Sequence, residues 1–350
     1  MIIKLKKCDL LFDNSVISLL EGYKSKVKKG EIGRNLESIL KNKDINKIKN
    51  LDLLFYILQT KRPKIYAESE IKGNGEDWNT NELKILGSIC AGFDVLVFDD
   101  GKHLNPKRYD YPINFKYIFV PGALLRNDFN QKYAPERDLL SKNNHINENK
   151  YNTYYFKKLD SVLHYIDQDS KKDKKKAFVS APGIGCGQFA AEFKGTLGEK
   201  LKRVFINVLE MNGLKYSNIH TLHYDPYDEC KNEDYLINGI NLRIRPYLEG
   251  KSSPQLSIDN AKHIVDFESN CKFYSIVAWD HVSWPGNDFY AMKRVTDDGV
   301  KAAASNLMSI ITNQEGSYLS DKYNPHEPYI NWIDCINTNK VTDFWGSKIQ

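Results

Sequence analysis

The chain has 350 residues, of which 41% are hydrophobic and 12% aromatic, so it can build a substantial core and intrinsic disorder is not expected. Fifty basic residues nearly balance 45 acidic ones, and the resulting net charge of +5 gives no electrostatic argument for nucleic-acid binding. The six cysteines form no CxxC pair, which argues against metal ribbons and disulfide frameworks. Because no run of about eighteen apolar residues occurs, we expect no membrane-spanning segment.

The first sixty residues have a mainly helical pattern. Leucine and isoleucine recur at helical spacing over residues 15–27 and 36–60. No concentration of chemically active side chains accompanies them. We therefore expect a helical N-terminal appendage over residues 1–60 and one main domain over residues 61–350.

The main domain alternates strand and helix patterns. Helices are predicted over residues 157–168 and 197–212, and the polar stretch 127–152 predicts a surface loop. Strands are predicted at residues 63–70, 94–100, 116–125, 177–181, 219–226, 239–247 and 273–279. This alternation indicates an α/β/α sandwich with a parallel or mixed sheet.

A glycine-rich turn, PGIGCGQF, stands between a predicted strand and a predicted helix. Gly183, Gly185 and Gly187 would let backbone N–H groups approach a phosphate closely. The turn is neither a Walker loop nor a dinucleotide fingerprint, and it could equally be a tight connection. Cys186 could be a nucleophile, although a small side chain packed beneath a phosphate is the preferred interpretation.

Three aspartates follow the strand at 273–279 within an aromatic-rich segment. Asp280 ends the strand, Asp288 follows a turn, and Asp298 lies at the start of a helix. Each has a simple structural explanation, such as a turn residue or a helix cap, a role that Asp297 could also take. Together they suit cleavage of a glycosidic bond, in which paired carboxylates act on water and on a sugar. A carboxylate-bound metal site is the competing interpretation.

Two sets of residues together resemble a known family. GCGQF at 185–189 is similar to the GCGxF loop of poly(ADP-ribose) glycohydrolases. The order of WD (279–280), PGND (285–288) and TDDGV (296–300) resembles the macrodomain-like ADP-ribosylhydrolase effectors of intracellular bacteria. The resemblance covers about residues 63–320. It implies a three-layer α/β/α macrodomain-like sandwich with a mixed sheet and an N-terminal helical appendage.

The resemblance also implies a function. The chain would cleave the N-glycosidic bond between ADP-ribose and a modified protein side chain, with arginine of ubiquitin as the expected acceptor. Its partners would then be the ADP-ribose moiety and the ADP-ribosylated protein, without a metal, a cofactor, a nucleic acid or a membrane. We expect a secreted bacterial effector acting in the host cytoplasm or, without export, a cytoplasmic protein.

Site residues are carried over from the matching motifs. Asp280, Asp288 and Asp298 correspond to the family's catalytic acids. The ligand-binding positions, which would hold the diphosphate with the last one near the distal ribose, are Gly183, Ile184, Gly185, Cys186, Gly187, Gln188 and Phe189. Two alternatives remain open: a reader that binds ADP-ribose without cleaving it, and a metal-dependent hydrolase of phosphates.

Overall fold

The computed structural model describes residues 1–127, 134–250, 253–341 and 344–345. Its strands are β1 (Ile2–Lys4), β2 (Asp9–Leu11), β3 (Cys90–Asp99), β4 (Arg108–Pro121), β5 (Ser141–Lys142), β6 (His145–Ile146), β7 (Lys176–Pro182), β8 (Ile219–Asp225), β9 (Glu233–Ile237), β10 (Ile240–Ile244), β11 (Cys271–Trp279), β12 (Gly316–Leu319) and β13 (Lys322–Pro325).

The helices lie between and around these strands. They are α1 (Ser15–Val27), α2 (Arg34–Leu40), α3 (Asn50–Gln59), α4 (Ala67–Glu70), α5 (Thr80–Leu86), α6 (Arg137–Leu140), α7 (Glu148–Lys172), α8 (Leu197–Asn212), α9 (Phe267–Asn270), α10 (Asp297–Ala303), α11 (Leu307–Thr312) and α12 (Trp332–Thr338). Short 3₁₀ helices cover Gln188–Phe193, Gly213–Lys215, Tyr247–Glu249, Ile258–Ala261 and Asn287–Ala291.

Nine strands form one mixed sheet in the order β1-β2-β3-β4-β11-β7-β8-β10-β9. The five strands from β4 to β10 in that order run parallel to one another. The strands on either side, β3 and β9, are antiparallel to their neighbours. The carboxyl ends of the parallel strands therefore meet at one edge of the sheet, where ligands bind in open α/β folds.

Two hydrophobic cores cover the two faces of this sheet. Along β4, Tyr117 and Phe119 point into one core, whereas Ile118 and Val120 point into the other, because successive side chains of a strand alternate. Helices α7 and α8 contribute to the second core, and α1, α3, α10 and α12 contribute to the first. The prediction of a three-layer α/β/α sandwich with a mixed sheet is confirmed.

The first sixty residues differ from the helical prediction at their start. Helices α1, α2 and α3 are present, but β1 and β2 precede them and extend the sheet through the pairing of β2 with β3. Buried side chains of all three helices, including Leu20, Leu36 and Leu53, belong to the same core as the sheet residue Phe93. The domain boundary at residue 60 stays a prediction.

Two further local predictions were wrong. Residues 63–70 were expected to form a strand, but they contain the helix α4. Residues 127–152 were expected to form a surface loop, of which residues 128–133 lie outside the described part. The remainder contains α6, the β5–β6 hairpin and the start of α7.

In the described residues, no helix is both long enough and apolar enough to cross a membrane.

Candidate functional site

The glycine loop, Gly183–Phe189, directly follows β7 at the carboxyl edge of the sheet. Gly185 has a φ of +75°, and a Cβ there would lie 2.5 Å from Tyr155 Oη. A Cβ on Gly122, at the end of β4, would lie 2.8 Å from Gly185 Cα. Both positions therefore require glycine. A Cβ on Gly187 would meet no heavy atom within 4 Å, so this part of the loop faces open space.

The backbone amides of the glycine loop fall into two groups. The N–H groups of Ile184 and Cys186 donate within the same turn. In the part of the chain that the structure describes, the N–H groups of Gly185 and of residues 187–189 have no protein acceptor. Backbone donors almost always find a partner, and consecutive unpaired amides form an anion-binding concavity. The loop can therefore bind phosphate oxygens.

Cys186 does not have the environment of a nucleophile. Its side chain is buried, and this burial raises the pKa of the thiol well above its ordinary value. Sγ lies 3.8 Å from the carbonyl oxygen of Ile184. Because only the thiolate is a good nucleophile, these contacts favour a packing role beneath the loop.

Asp280 follows β11 and organises the turn after it. Its Oδ1 accepts hydrogen bonds from the backbone N–H groups of Val282 and Ser283, each at 2.7 Å, and its Oδ2 accepts from the Ser283 hydroxyl. The side chain is buried. Three donors thus hold this carboxylate in one orientation, which fixes the path of the chain leaving the sheet.

Asp298, in the first turn of α10, is also buried. Its carboxyl group accepts from the backbone N–H of Asn287 at 3.0 Å and from the Thr296 hydroxyl at 2.7 Å. Burial, together with the charges of Asp280, Asp288 and Asp297, raises the pKa of Asp298 to about 8, against the lowering effect of the Thr296 hydrogen bond. Asp298 therefore keeps its proton at neutral pH, and its electrostatic environment includes the other predicted acids.

Asp288 differs from the other two predicted acids. It is half-buried, and no donor among the described residues reaches its carboxylate. A Cβ on Gly299 would lie 3.0 Å from Asp288 Cβ, so glycine allows the turn carrying Asp288 to approach α10. Asp288 is thus the member of the three whose oxygens remain available to a ligand.

Asp297 has a structural partner instead. It accepts from the backbone N–H of Ala278 at 2.8 Å and from the buried ammonium of Lys301. Neither Asp297 nor Asp298 caps α10, because its N-cap residue is Thr296. The bond from Ala278 to Asp297 and a bond from Lys301 to the Ile276 carbonyl, at 3.3 Å, fasten α10 to β11.

Gly122 connects the glycine loop to the acidic segment, which we define as residues 280–298. Its N–H donates to the carbonyl oxygen of Trp279 at 3.0 Å, one residue before Asp280. Its Cα side packs against Gly185, as described above. The structure therefore brings the sequence-predicted loop and the sequence-predicted acids to adjacent strand ends.

Lys61 was missed by sequence analysis although it underlies the acidic segment. Its buried ammonium donates to the carbonyl oxygen of His281 at 2.6 Å and lies 3.7 Å from the centre of the Trp279 ring. Burial lowers the pKa of Lys61 to about 7. No local signal distinguishes this lysine, because its partners are some 220 residues away.

Two residues anchor the far side of the same segment. Asn287 Oδ1 accepts from the Ile65 N–H at 2.8 Å, and its Nδ2 donates to the Ile65 carbonyl at 2.7 Å. Arg294 makes a two-point ion pair with the fully buried Asp99 of β3. The turns that carry Asp288 and Asp298 are therefore fixed to parts of the chain that are distant in sequence.

A cavity of about 420 Å³ lies away from this site. Lys176 and His220 at the amino ends of β7 and β8 line it together with His263. It is consequently at the opposite edge from the glycine loop. Within the described residues, no group of three or more His, Cys, Asp or Glu side chains is arranged to hold a metal ion.

A mixed-sheet sandwich with a glycine loop at its carboxyl edge defines a macrodomain-like α/β protein. A family model described as Macrodomain effector MavL matches residues 9–329, and the chain belongs to that family. No curated protein matches the chain. The family match begins within β2, so the resemblance expected over residues 63–320 extends further towards the N-terminus. Membership supports an ADP-ribose-related function and a bacterial effector.

Proposed function

We propose that this chain is an ADP-ribosylhydrolase that cleaves the N-glycosidic bond between ADP-ribose and a modified protein side chain. The observation that carries the proposal is the adjacency of the glycine loop and the acidic segment through Gly122. The diphosphate of ADP-ribose is attached to its distal ribose. A ligand whose diphosphate binds the free amides of the loop can therefore present its anomeric carbon to the acids, which gives the orientation that accelerates reaction.

Because Asp288 and Asp298 lie in different environments, we assign them different catalytic roles. Asp288, whose oxygens accept from no donor in the described part of the chain, orients the attacking water and accepts its proton. Asp298, which keeps its proton at neutral pH, is suited to protonate the leaving nitrogen. The water oxygen forms the new bond to the anomeric carbon as the carbon–nitrogen bond breaks. Asp280 accepts three hydrogen bonds from Val282 and Ser283, and so holds the turn that leads from β11 to Asp288.

The acceptor and the site of action come from the family resemblance. An arginine of ubiquitin is the proposed acceptor, so the leaving group is a guanidine. The chain is proposed to be secreted and to act in the host cytoplasm. Asp280, Asp288, Asp298 and the loop positions 183–189 remain the proposed site residues.

The direct test is release of ADP-ribose from ubiquitin carrying ADP-ribosylated arginine. We expect Asp288→Asn and Asp298→Asn each to lower kcat by about a hundredfold or more, as loss of an acid or base does. Asp110→Asn, at an exposed position of β4, is the matched control and should retain activity. Wild-type turnover by both site variants would refute the assigned roles.

A second candidate function is a reader that binds ADP-ribose without cleaving it. It is favoured by the hydrogen bonds of Asp280 and Asp298, which already occupy these carboxyl groups within the protein. The glycine loop alone would suffice for such a protein. Calorimetric binding of ADP-ribose without any release from modified ubiquitin would establish the reader and exclude the hydrolase.

A further inference from the structure

Of two segments that follow β4, the first contacts the glycine loop and the second contacts the 3₁₀ helix Gln188–Phe193, in which the loop ends. We name Gly122–Asn127 and Ala134–Arg137 the bridging segments. The N–H of Leu125 donates to the carbonyl oxygen of Phe189 at 3.0 Å. Arg137 forms an ion pair with Glu192 and also donates to the carbonyl oxygen of Leu125 at 2.7 Å.

The hydroxyl of Tyr155 adds a second connection. It accepts from the N–H of Ala123 at 2.8 Å and donates to the carbonyl oxygen of Ile184 at 2.9 Å. A single buried hydroxyl on α7 thus joins a bridging segment to the glycine loop. Movement of this segment would therefore displace the loop amides that are proposed to bind the diphosphate.

Glu136 connects the bridging segments to the acidic segment. Its Oε2 accepts from the N–H of Leu124 at 3.0 Å, and its Oε1 lies 2.9 Å from Nε2 of His281. Because an ionised carboxylate only accepts, Nε2 carries the hydrogen of this bond. His281 is fully buried and adjoins Asp280, so one carboxylate contacts both a bridging segment and the acidic segment.

The charge of Glu136 is maintained by its neighbours. Burial on its own would raise the pKa of this carboxyl, but His281, Lys158 and the Leu124 amide together lower it below its ordinary value. A buried hydrogen bond between a carboxylate and an imidazole adds little net stability compared with apolar packing, whereas it fixes the relative positions of the two groups that it joins. The pair is therefore better suited to a positioning role than to a purely stabilising one.

We propose that Glu136 and His281 are positioning residues, which hold the Asp280 turn in register with the glycine loop so that the acids meet the bound ribose. This inference rests on the proposed hydrolase function. Neither residue needs to touch the substrate. Glu136 acts on the position of the glycine loop through Leu124 and Leu125, and His281 acts on the acids through the adjoining Asp280.

The test compares Glu136→Gln with a matched buried carboxylate. Glu136→Gln keeps the volume but can no longer accept from both Leu124 and His281. We expect kcat to fall about tenfold to a hundredfold, the scale of effect that a misplaced reacting group produces. Glu82→Gln is the control. Glu82 lies among α1, α2 and α5, and it too is fully buried and accepts hydrogen bonds from both backbone and side-chain donors. It should lose thermal stability while kcat remains that of the wild type.

Variants of His281 provide a test that does not depend on the folding of Glu136→Gln. His281→Gln retains an N–H donor for Glu136 and should keep more activity than His281→Leu, which has none. The double variant Glu136→Gln/His281→Leu should lose no more kcat than the single variants, because residues acting as one unit are not additive.

Different results would contradict the positioning role and the hydrolase function. Equal kcat for His281→Gln and His281→Leu, or a loss of kcat in Glu82→Gln as large as that in Glu136→Gln, would overturn the positioning role and leave the hydrolase function standing. If the wild-type chain released no ADP-ribose from modified ubiquitin, the proposed function itself would fail and the inference with it.

Discussion

Gly185 and Gly122 pack against each other where two neighbouring parts of the site meet. A Cβ on Gly122 would lie 2.8 Å from the Cα of Gly185, and Gly185 itself has a left-handed φ of +75°. Since Gly122 also bonds to Trp279, this close approach fixes the spacing between the glycine loop and the acidic segment.

Gly185→Ala should destabilise the fold. A left-handed backbone costs an L-residue roughly 1–2 kcal/mol, and the new methyl group would also collide with Tyr155 Oη. We expect a lower free energy of unfolding in denaturant titrations, by at least about 2 kcal/mol. A variant as stable as the wild type would show that the loop has room that the structure does not indicate.

Gly187→Ala should instead reduce ligand binding. Among the described residues, the added Cβ would have no neighbour within 4 Å. It would project from the part of the loop whose amides are proposed to bind the diphosphate. Calorimetry on the folded variant should show weaker binding of ADP-ribose than in the wild type. Unchanged affinity would place the ligand elsewhere.

Sequence patterns predicted those features whose signals are local. The continuous apolar run of β11 and the amphipathic stripe of α8 identified a strand and a helix, and chain order placed Asp280 at a strand end. The glycine loop was recognisable because three glycines separate the strand from the helix. The α/β/α architecture followed from the alternation of such elements.

The remaining parts of the site depend on contacts between distant residues. Lys61 reaches His281 across 220 positions, and Glu136 reaches it across 145. Neither side chain has a sequence pattern that distinguishes it from a surface residue. Strand β1 has only three residues, too few to show a period, and the alternation at 63–70 belongs to a segment that is not a strand.

Asp280→Asn and Asp288→Asn should have different effects on stability. An amide at position 280 offers only one acceptor oxygen, so at least one of the three donors around Asp280 would lose its partner, at a cost of roughly 1–3 kcal/mol. Asp288 has no such donors among the residues that the structure describes, and its variant should unfold like the wild type. Thermal unfolding of the two variants measures the difference; equal losses would contradict the hydrogen-bonding roles assigned to them.

Asp298 should make stability fall as the pH rises. Burial raises its folded-state pKa to about 8, against an ordinary value of 3.8. Between these values the folded state binds a proton that the unfolded state has released, so the free energy of unfolding decreases by at most about 1.4 kcal/mol per pH unit. Asp298→Asn retains hydrogen-bonding groups for Asn287 and Thr296 and should flatten this dependence in denaturant titrations. A variant with the wild-type slope would contradict the raised pKa.

The same protonation predicts the pH dependence of turnover. If Asp298 donates a proton to the leaving nitrogen, kcat should decline above about pH 8, where the folded carboxyl ionises. Steady-state rates across this range, measured where the chain remains folded, test the assignment. A rate that stays constant or rises through this range would exclude Asp298 as the acid.

Lys61 should make the free energy of unfolding rise with pH, in contrast to Asp298, and over a higher pH range. Burial lowers its folded-state pKa from 10.5 to about 7, so between these values the unfolded chain binds the extra proton and the free energy of unfolding rises with pH. Lys61→Met fills a similar volume without a charge and should remove this rise. It should also lower kcat, because the carbonyl of His281, next to Asp280, loses its donor. Lys84→Met, at an exposed position of α5, is the control and should keep the wild-type profile. If Lys61→Met also kept the wild-type dependence of stability on pH, the buried ammonium could not be the group that titrates.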